Sequence, residues 1–173
     1  MFPTAIILRG ISGVGKTVLR KLLKVALKAL DKNVKIISKD DYRKMHQPWL
    51  YTKEQESQLN DWYAEEYSKS IVGNYDYIIS DTTMCRGTEF TVPFRSLNIM
   101  NTGRLIIINI GTPDSLTNSD IGEEHVNHQR KIMRETQPLL DTYEKKGYCH
   151  QFYIDARSSV EEGITDIVKE LVI

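Results

Sequence analysis

The sequence predicts an α/β domain built on a mostly parallel five-stranded sheet flanked by helices. Three observations predict it. Short apolar runs alternate with longer stretches of helical period. The runs are near-continuous Ile, Val and Tyr, as in strands covered on both faces of a parallel sheet. The first run leads directly into a glycine-rich loop that opens a helix, a junction suited to holding phosphates.

The elements follow in order. "TAIIL" (4–8), "VKIIS" (34–38), "YDYIIS" (75–80), "RLIIINI" (104–110) and "HQFYID" (150–155) read as strands. A helix over about 16–30 places Lys21, Lys24 and Lys28 on one face and leucines opposite, so the lysine row reads as a solvated face. A second helix opens at "YTKEQE", where Thr52 can cap it and Gln55 can reach back in a capping box. Leu59, Trp62, Tyr63 and Tyr67 follow at helical spacing and read as core rather than as a base-stacking platform. A third helix spans about 93–101, opened by Pro93. A fourth covers about 122–146 and a fifth about 159–171. No repeat, linker or low-complexity segment is visible, and the expectation is one domain over 1–173.

Composition narrows the function classes. The chain has 173 residues, 40% hydrophobic and 27% charged, which suits a globular domain with a proper core. A formal net charge of zero argues against coating long stretches of nucleic acid, which needs a positive excess, but leaves room for gripping a strand end. Cys85 and Cys149 lie far apart with no metal-ligand spacing and read as reduced thiols. The four histidines, His46, His125, His128 and His150, likewise show no ligand spacing. "MFPTAIILRG" runs straight into the glycine-rich loop and reads as a strand, not a signal peptide. No run is long enough to span a membrane.

The loop itself is "GISGVGKT", residues 10–17. Its glycines let backbone N–H groups wrap a pyrophosphate. Lys16 can reach the β- and γ-phosphates, and the Thr17 hydroxyl can meet Mg²⁺. Gly10, Ser12, Gly13, Val14, Gly15, Lys16 and Thr17 are therefore the expected contacts of a nucleoside triphosphate. GTPases, ATPases and kinases share this P-loop, so residues elsewhere must choose among them. A guanine signature of the Asn-Lys-x-Asp kind is absent. "YIISDTT" ends in Asp81 and Thr82, without the Glu that activates water in a mechanical ATPase. In a parallel sheet the ligand sits beyond the strands' C-terminal ends, where "KDDYR", "DTTMCRG", "GTPD" and "DARSS" should converge. A kinase needs a carboxylate there to take the proton of an attacking hydroxyl, and Asp40 and Asp41 are placed for it. If "KDDYR" turns helically, Asp40 and Arg43 share a face. Asp81 suits two roles, a structural cap or the holder of a magnesium-bound water.

The stretches "SKDDYRKM" (38–45), "YTKEQE" (51–56) and "IISDTTM" (78–84), in this order after the loop, resemble the 5′-kinase module of bacteriophage polynucleotide kinases. The likeness covers roughly residues 4–110. It implies the P-loop kinase fold with a helical lid, here about 112–130, with ATP and Mg²⁺ as cofactors. It implies that Asp40 is the general base for a 5′-hydroxyl, that Arg43 holds the phosphate neighbouring the acceptor nucleotide, and that Asp81 is essential to the site. Thr17 and Asp81 are the candidate magnesium ligands. The implied partner is a DNA or RNA end. The implied location is the cytoplasm, that of the host if the chain is phage-encoded, with no protein or membrane partner identifiable.

Two departures stand out. The lid stretch "GTPDSLTNSDIGEEHVNHQ" has no arginine or lysine, where these kinases place an arginine over the transferring phosphate. Arg130 and Arg134, next along the chain, are the candidates for that role. There is also no Asp-x-Asp-x-Thr phosphatase motif. Arg157, in "IDARSS", lies where many such kinases seat adenine and either stacks on it or simply faces solvent. The expected activity is ATP-dependent phosphorylation of a 5′-hydroxyl end. The alternatives are a kinase of 5-hydroxymethyluracil in phage DNA, a nucleoside or small-metabolite kinase, and a nucleotide-binding module without transfer.

Overall fold

Five strands form one parallel sheet in the computed structural model, which describes residues 2–81, 87–111, 122–155 and 160–171. They are β1 (Thr4–Arg9), β2 (Val34–Ile37), β3 (Tyr77–Asp81), β4 (Leu105–Gly111) and β5 (His150–Asp155). Their order is β2-β3-β1-β4-β5, and every pairing is parallel. Parallel neighbours need crossover connections, which the helices supply. These are α1 (Lys16–Ala29), α2 (Lys39–Met45), α3 (Lys53–Val72), α4 (Thr91–Ser96), α5 (Ile99–Thr102), α6 (Glu123–Lys145) and α7 (Val160–Leu171).

Strand side chains alternate between two cores. Ala5 and Ile7 of β1 face a layer holding Tyr63 and Tyr67 of α3, Leu97, Ile99 and Leu140 of α6. Ile6 and Leu8 face Leu19, Leu23 and Leu27 of α1 and Ile164 and Ile167 of α7. Each fully buried leucine of α1 contributes on the order of 2 kcal/mol from leaving water. The aromatic stripe of α3 is core as expected: Tyr63 and Tyr67 are buried and both hydroxyls meet Ser80 Oγ of β3.

The strand positions follow the sequence closely, with β3 shifted to 77–81 so that Asp81 closes the strand. Three helical expectations change. The segment "KDDYRKM" is a true helix, α2, capped by Ser38, whose Oγ accepts from Asp41 N. Thr52 does cap α3, but Gln55 Oε1 reaches past it to accept from Leu50 N at 2.8 Å. The helix expected over 93–101 is instead α4 and α5, preceded by a 3₁₀ turn over Gly87–Phe90, so Pro93 is the third residue of α4 rather than its opening. Asn98 separates the two by adopting a left-handed conformation, φ 51°, where the helical N–H to C=O ladder cannot continue.

Arg9, the last residue of β1, is buried and ties the sheet to α6. Its guanidinium donates to Asn109 Oδ1 of β4 at 2.9 Å, and to Gln137 Oε1 at 2.8 Å and Met133 O at 2.7 Å on α6. This fixes α6 against the strand that feeds the phosphate loop. Cys149 is buried. Desolvation, helped by Glu144 and Asp141, pushes its thiol up to about 12, so it stays protonated near neutrality.

Candidate active site

The phosphate loop sits at the C-terminal end of the central strand, which fixes the site. Register pairs Leu8 with Asp81, so the carboxylate ending β3 lies beside the start of the loop. Two glycines are required by geometry. A Cβ on Gly10 would meet Val14 Cγ1 at 2.8 Å and Ile110 O at 3.1 Å, so only glycine lets the loop close on β4. Gly15 caps α1 with φ 98°, a conformation that side chains resist. Lys16 is buried, its Nζ donating to Gly10 O at 2.9 Å and Ile11 O at 2.7 Å, which keeps the ammonium within the loop.

A cleft of about 380 Å³ opens on the loop, lined by Ser12, Gly13, Lys16, Thr17, Asp40 and Asp81 among others. The loop and both expected carboxylates therefore share one cavity. Thr17 Oγ1 donates to Asp81 Oδ2 at 3.1 Å. Burial pushes the Asp81 carboxyl above its ordinary value, while Arg20, Thr17 and Lys16 oppose that rise. The donor set suits Mg²⁺, a hard cation that takes oxygen ligands and keeps several waters, so one carboxylate and one hydroxyl suffice.

Arg20 is a site residue that the sequence reading missed. It is buried, and its Nη1 lies 2.8 Å from Asp41 Oδ2 and 3.2 Å from Asp81 Oδ2. One guanidinium thus joins α1, α2 and the end of β3. A signal for it was present: Arg20 follows Lys16 by four residues and precedes Leu23 and Leu27 on the buried stripe of α1. A cation at a core position needs a carboxylate partner.

Beside the cleft, Arg43 Nη1 donates to Asp40 Oδ1 at 2.9 Å, the shared face expected of a helical turn. Its Nε and Nη2 edge meets Glu56 of α3, with Nη2 to Oε2 at 3.2 Å, and Trp49 Nε1 donates to the same carboxylate at 3.0 Å. Burial pushes Glu56 up, but the bonds from Arg43 and Trp49 outweigh it and hold the carboxyl below its ordinary value. Lys39 lies beside this group, over the Tyr63 ring and bonded to Asn60 Oδ1 at 2.8 Å. Burial lowers its pKa, with Glu89 opposing.

The α6 side chain on the phosphate loop is Gln129, which the sequence did not single out. It is buried; Oε1 accepts from Ser12 N at 2.8 Å and Nε2 donates to Ser12 Oγ at 3.0 Å. Arg130 donates to Asn127 on its own helix at 3.4 Å, and Arg134 is exposed. Arg157 and the 112–121 part of the lid expected over about 112–130 lie outside the described residues, as do Thr82 and Cys85.

Comparison with solved structures matches the whole architecture. A gluconokinase from Sinorhizobium meliloti 1021 superposes with a TM-score of 0.58 at 13% identity, covering 99% of this chain and 97% of that one. An APS kinase from Mycobacterium tuberculosis, in complex with AMPPNP and APS, gives 0.59 at 10% identity, covering 99% and 98%. The chain has the P-loop kinase fold. A shikimate kinase from Aquifex aeolicus shares that fold, with a TM-score of 0.53 at 16% identity over 97% of this chain and 96% of its own. A family model described as Zeta toxin matches residues 2–84, from β1 to just past β3, which contain the loop, Asp40, Arg43 and Asp81 of this P-loop kinase fold. No curated protein sequence matches the chain. Among the described residues, no helix is long and apolar enough to cross a membrane.

Proposed function

We propose that the protein is an ATP- and Mg²⁺-dependent phosphotransferase acting on a hydroxyl, and that its acceptor is the 5′-hydroxyl end of DNA or RNA. The observation that carries the reading is the shared cleft, which the phosphate loop, Lys16, Thr17, Asp81 and Asp40 line together. A module that only binds nucleotide has no need of a carboxylate facing its loop.

Each residue has a part in the proposed reaction. The loop N–H groups and Lys16 hold the triphosphate. Asp40 orients the acceptor hydroxyl and takes its proton late, as the new O–P bond forms and the bond to the β,γ-bridging oxygen breaks, releasing ADP. Lys16 offsets the negative charge spreading over the transferred group. Thr17 and Asp81 would hold Mg²⁺, which supplies further neutralisation of phosphate charge when bound. Arg43 is the proposed contact for the neighbouring acceptor phosphate. Its terminal nitrogens carry two N–H groups each, so donor capacity remains while Asp40 and Glu56 fix its plane.

The same ion pairs favour a second reading. Arg43 already faces two carboxylates, which offsets its charge and suits an acceptor with little charge of its own, such as a nucleoside, a hydroxymethylated base or a small metabolite. Labelled ATP offered with 5′-hydroxyl oligonucleotides, hydroxymethyluracil DNA, nucleosides and small hydroxy acids separates the readings. The first requires oligonucleotide transfer with the highest kcat/KM. Transfer confined to hydroxymethyluracil DNA or to small acceptors would replace it with the second.

A further inference from the structure

We propose that Tyr51 is a stacking platform for the base of the acceptor's terminal nucleotide. This rests on the polynucleotide reading above and adds the residue that recognises the base.

The aromatic residues of α3 are used up by the core, Tyr63 and Tyr67 buried and Trp62 packed against them. Tyr51 is different. It lies on the link between α2 and α3 and is 69% exposed, as is Leu50 beside it. Its backbone takes φ 54°, the left-handed region that bulky residues rarely enter. Burial does not compensate for that conformation, since the ring is displayed to solvent. The chain is tethered on both sides of it: Leu50 N donates to Gln55 Oε1, Trp49 Nε1 donates to Glu56, and Thr52 caps α3. An exposed aromatic ring on a tethered, strained backbone is the kind of feature found at recognition sites.

Its neighbour gives the ring a ligand. The Arg43 guanidinium lies 5.6 Å from the Tyr51 ring centroid and 2.9 Å, nitrogen to oxygen, from Asp40. Two groups therefore flank the cationic donors that Arg43 offers a phosphate: a proton acceptor for a hydroxyl and an aromatic ring for a base. A nucleotide with a free 5′-hydroxyl offers the three matching groups, hydroxyl, phosphodiester and base, within one residue. Stacking on an aromatic face tolerates any base, which fits an enzyme that acts on strand ends of any sequence.

The test compares two oligonucleotides identical except that one has an abasic 5′-terminal residue. Tyr51→Ala should raise KM for the base-bearing strand about tenfold, in line with the loss of one stacking contact, and leave its kcat, the abasic KM and the ATP KM within about twofold. Tyr51→Phe should behave as wild type. An equal loss on both strands would assign the effect to a displaced Arg43 and overturn the inference, as would a silent Tyr51→Ala in an enzyme that phosphorylates both strands. If the wild type phosphorylates no oligonucleotide, the polynucleotide reading itself fails, and this inference with it.

Discussion

Arg20 holds Asp41 at 2.8 Å, and this pair decides which of two adjacent carboxylates faces the cleft. Asp41 is committed to a buried guanidinium that also touches Asp81, whereas Asp40 lines the cavity over the phosphate loop. The residue pattern alone places the two side by side, and it is the resemblance that assigns the base to the first of them. Helix α2 separates them by pointing successive residues about 100° apart.

The stability consequences are unequal. Arg20→Met removes the cation in direct contact with the buried Asp81 and should cost about 3 kcal/mol, because breaking a buried ion pair leaves its carboxylate with only the Thr17 bond and the more distant Lys16 charge. Asp41 is half-exposed, so Asp41→Asn should cost about 1 kcal/mol or less. Urea unfolding of both variants measures the difference. Equal losses would mean that Arg20 is held mainly by Asp41 and not by the junction with Asp81.

Gln129 makes a second link that nucleotide binding can read. Gln129→Leu keeps the volume but leaves Ser12 N–H without its acceptor at the entry of the loop. Loss of one buried hydrogen bond of this kind, about 1–2 kcal/mol, predicts a rise of about tenfold in the ATP dissociation constant. Equilibrium binding of a fluorescent ATP analogue checks it. Unchanged affinity would reduce Gln129 to a helix anchor.

These two residues show where sequence reading ends. The strand–loop–helix at residues 4–30 was legible because "GISGVGKT" fixes both backbone and chemistry locally, and Asp40 with Arg43 because a three-residue spacing is itself a helical contact. Gln129 meets Ser12 across 117 residues of chain, so no local pattern announces it. Arg20 was half legible: its stripe position shows burial, but its partners come from two other elements. The break between α4 and α5 was hidden because it depends on one asparagine adopting a left-handed conformation, which asparagine permits without requiring.

Acid titration tests the packing of α3 on the sheet. Glu66 Oε2 lies 2.7 Å from Lys35 Nζ of β2, and that bond holds its carboxyl below the ordinary value against the opposing effect of burial. A depressed folded-state pKa stabilises the fold above the unfolded pKa, and the contribution is lost as pH falls through the folded value. Glu66→Gln should therefore cost about 1 kcal/mol at pH 7, with the gap to wild type closing as pH drops below the ordinary Glu value of about 4.3. A gap that stays constant from neutral to acid pH would show that the charge of Glu66 contributes nothing.

The claim on which the rest depends is that Asp40 takes the acceptor's proton. Single-turnover transfer from labelled ATP to a 5′-hydroxyl oligonucleotide, measured beside the equilibrium ATP dissociation constant for wild type and Asp40→Asn, tests it most directly. The substitution preserves shape and leaves Lys16, Thr17 and the loop backbone untouched. The account predicts that transfer falls by about a hundredfold or more while ATP affinity moves less than about twofold. Transfer by Asp40→Asn at the wild-type rate would contradict it, and so would a loss that falls on Asp41→Asn instead.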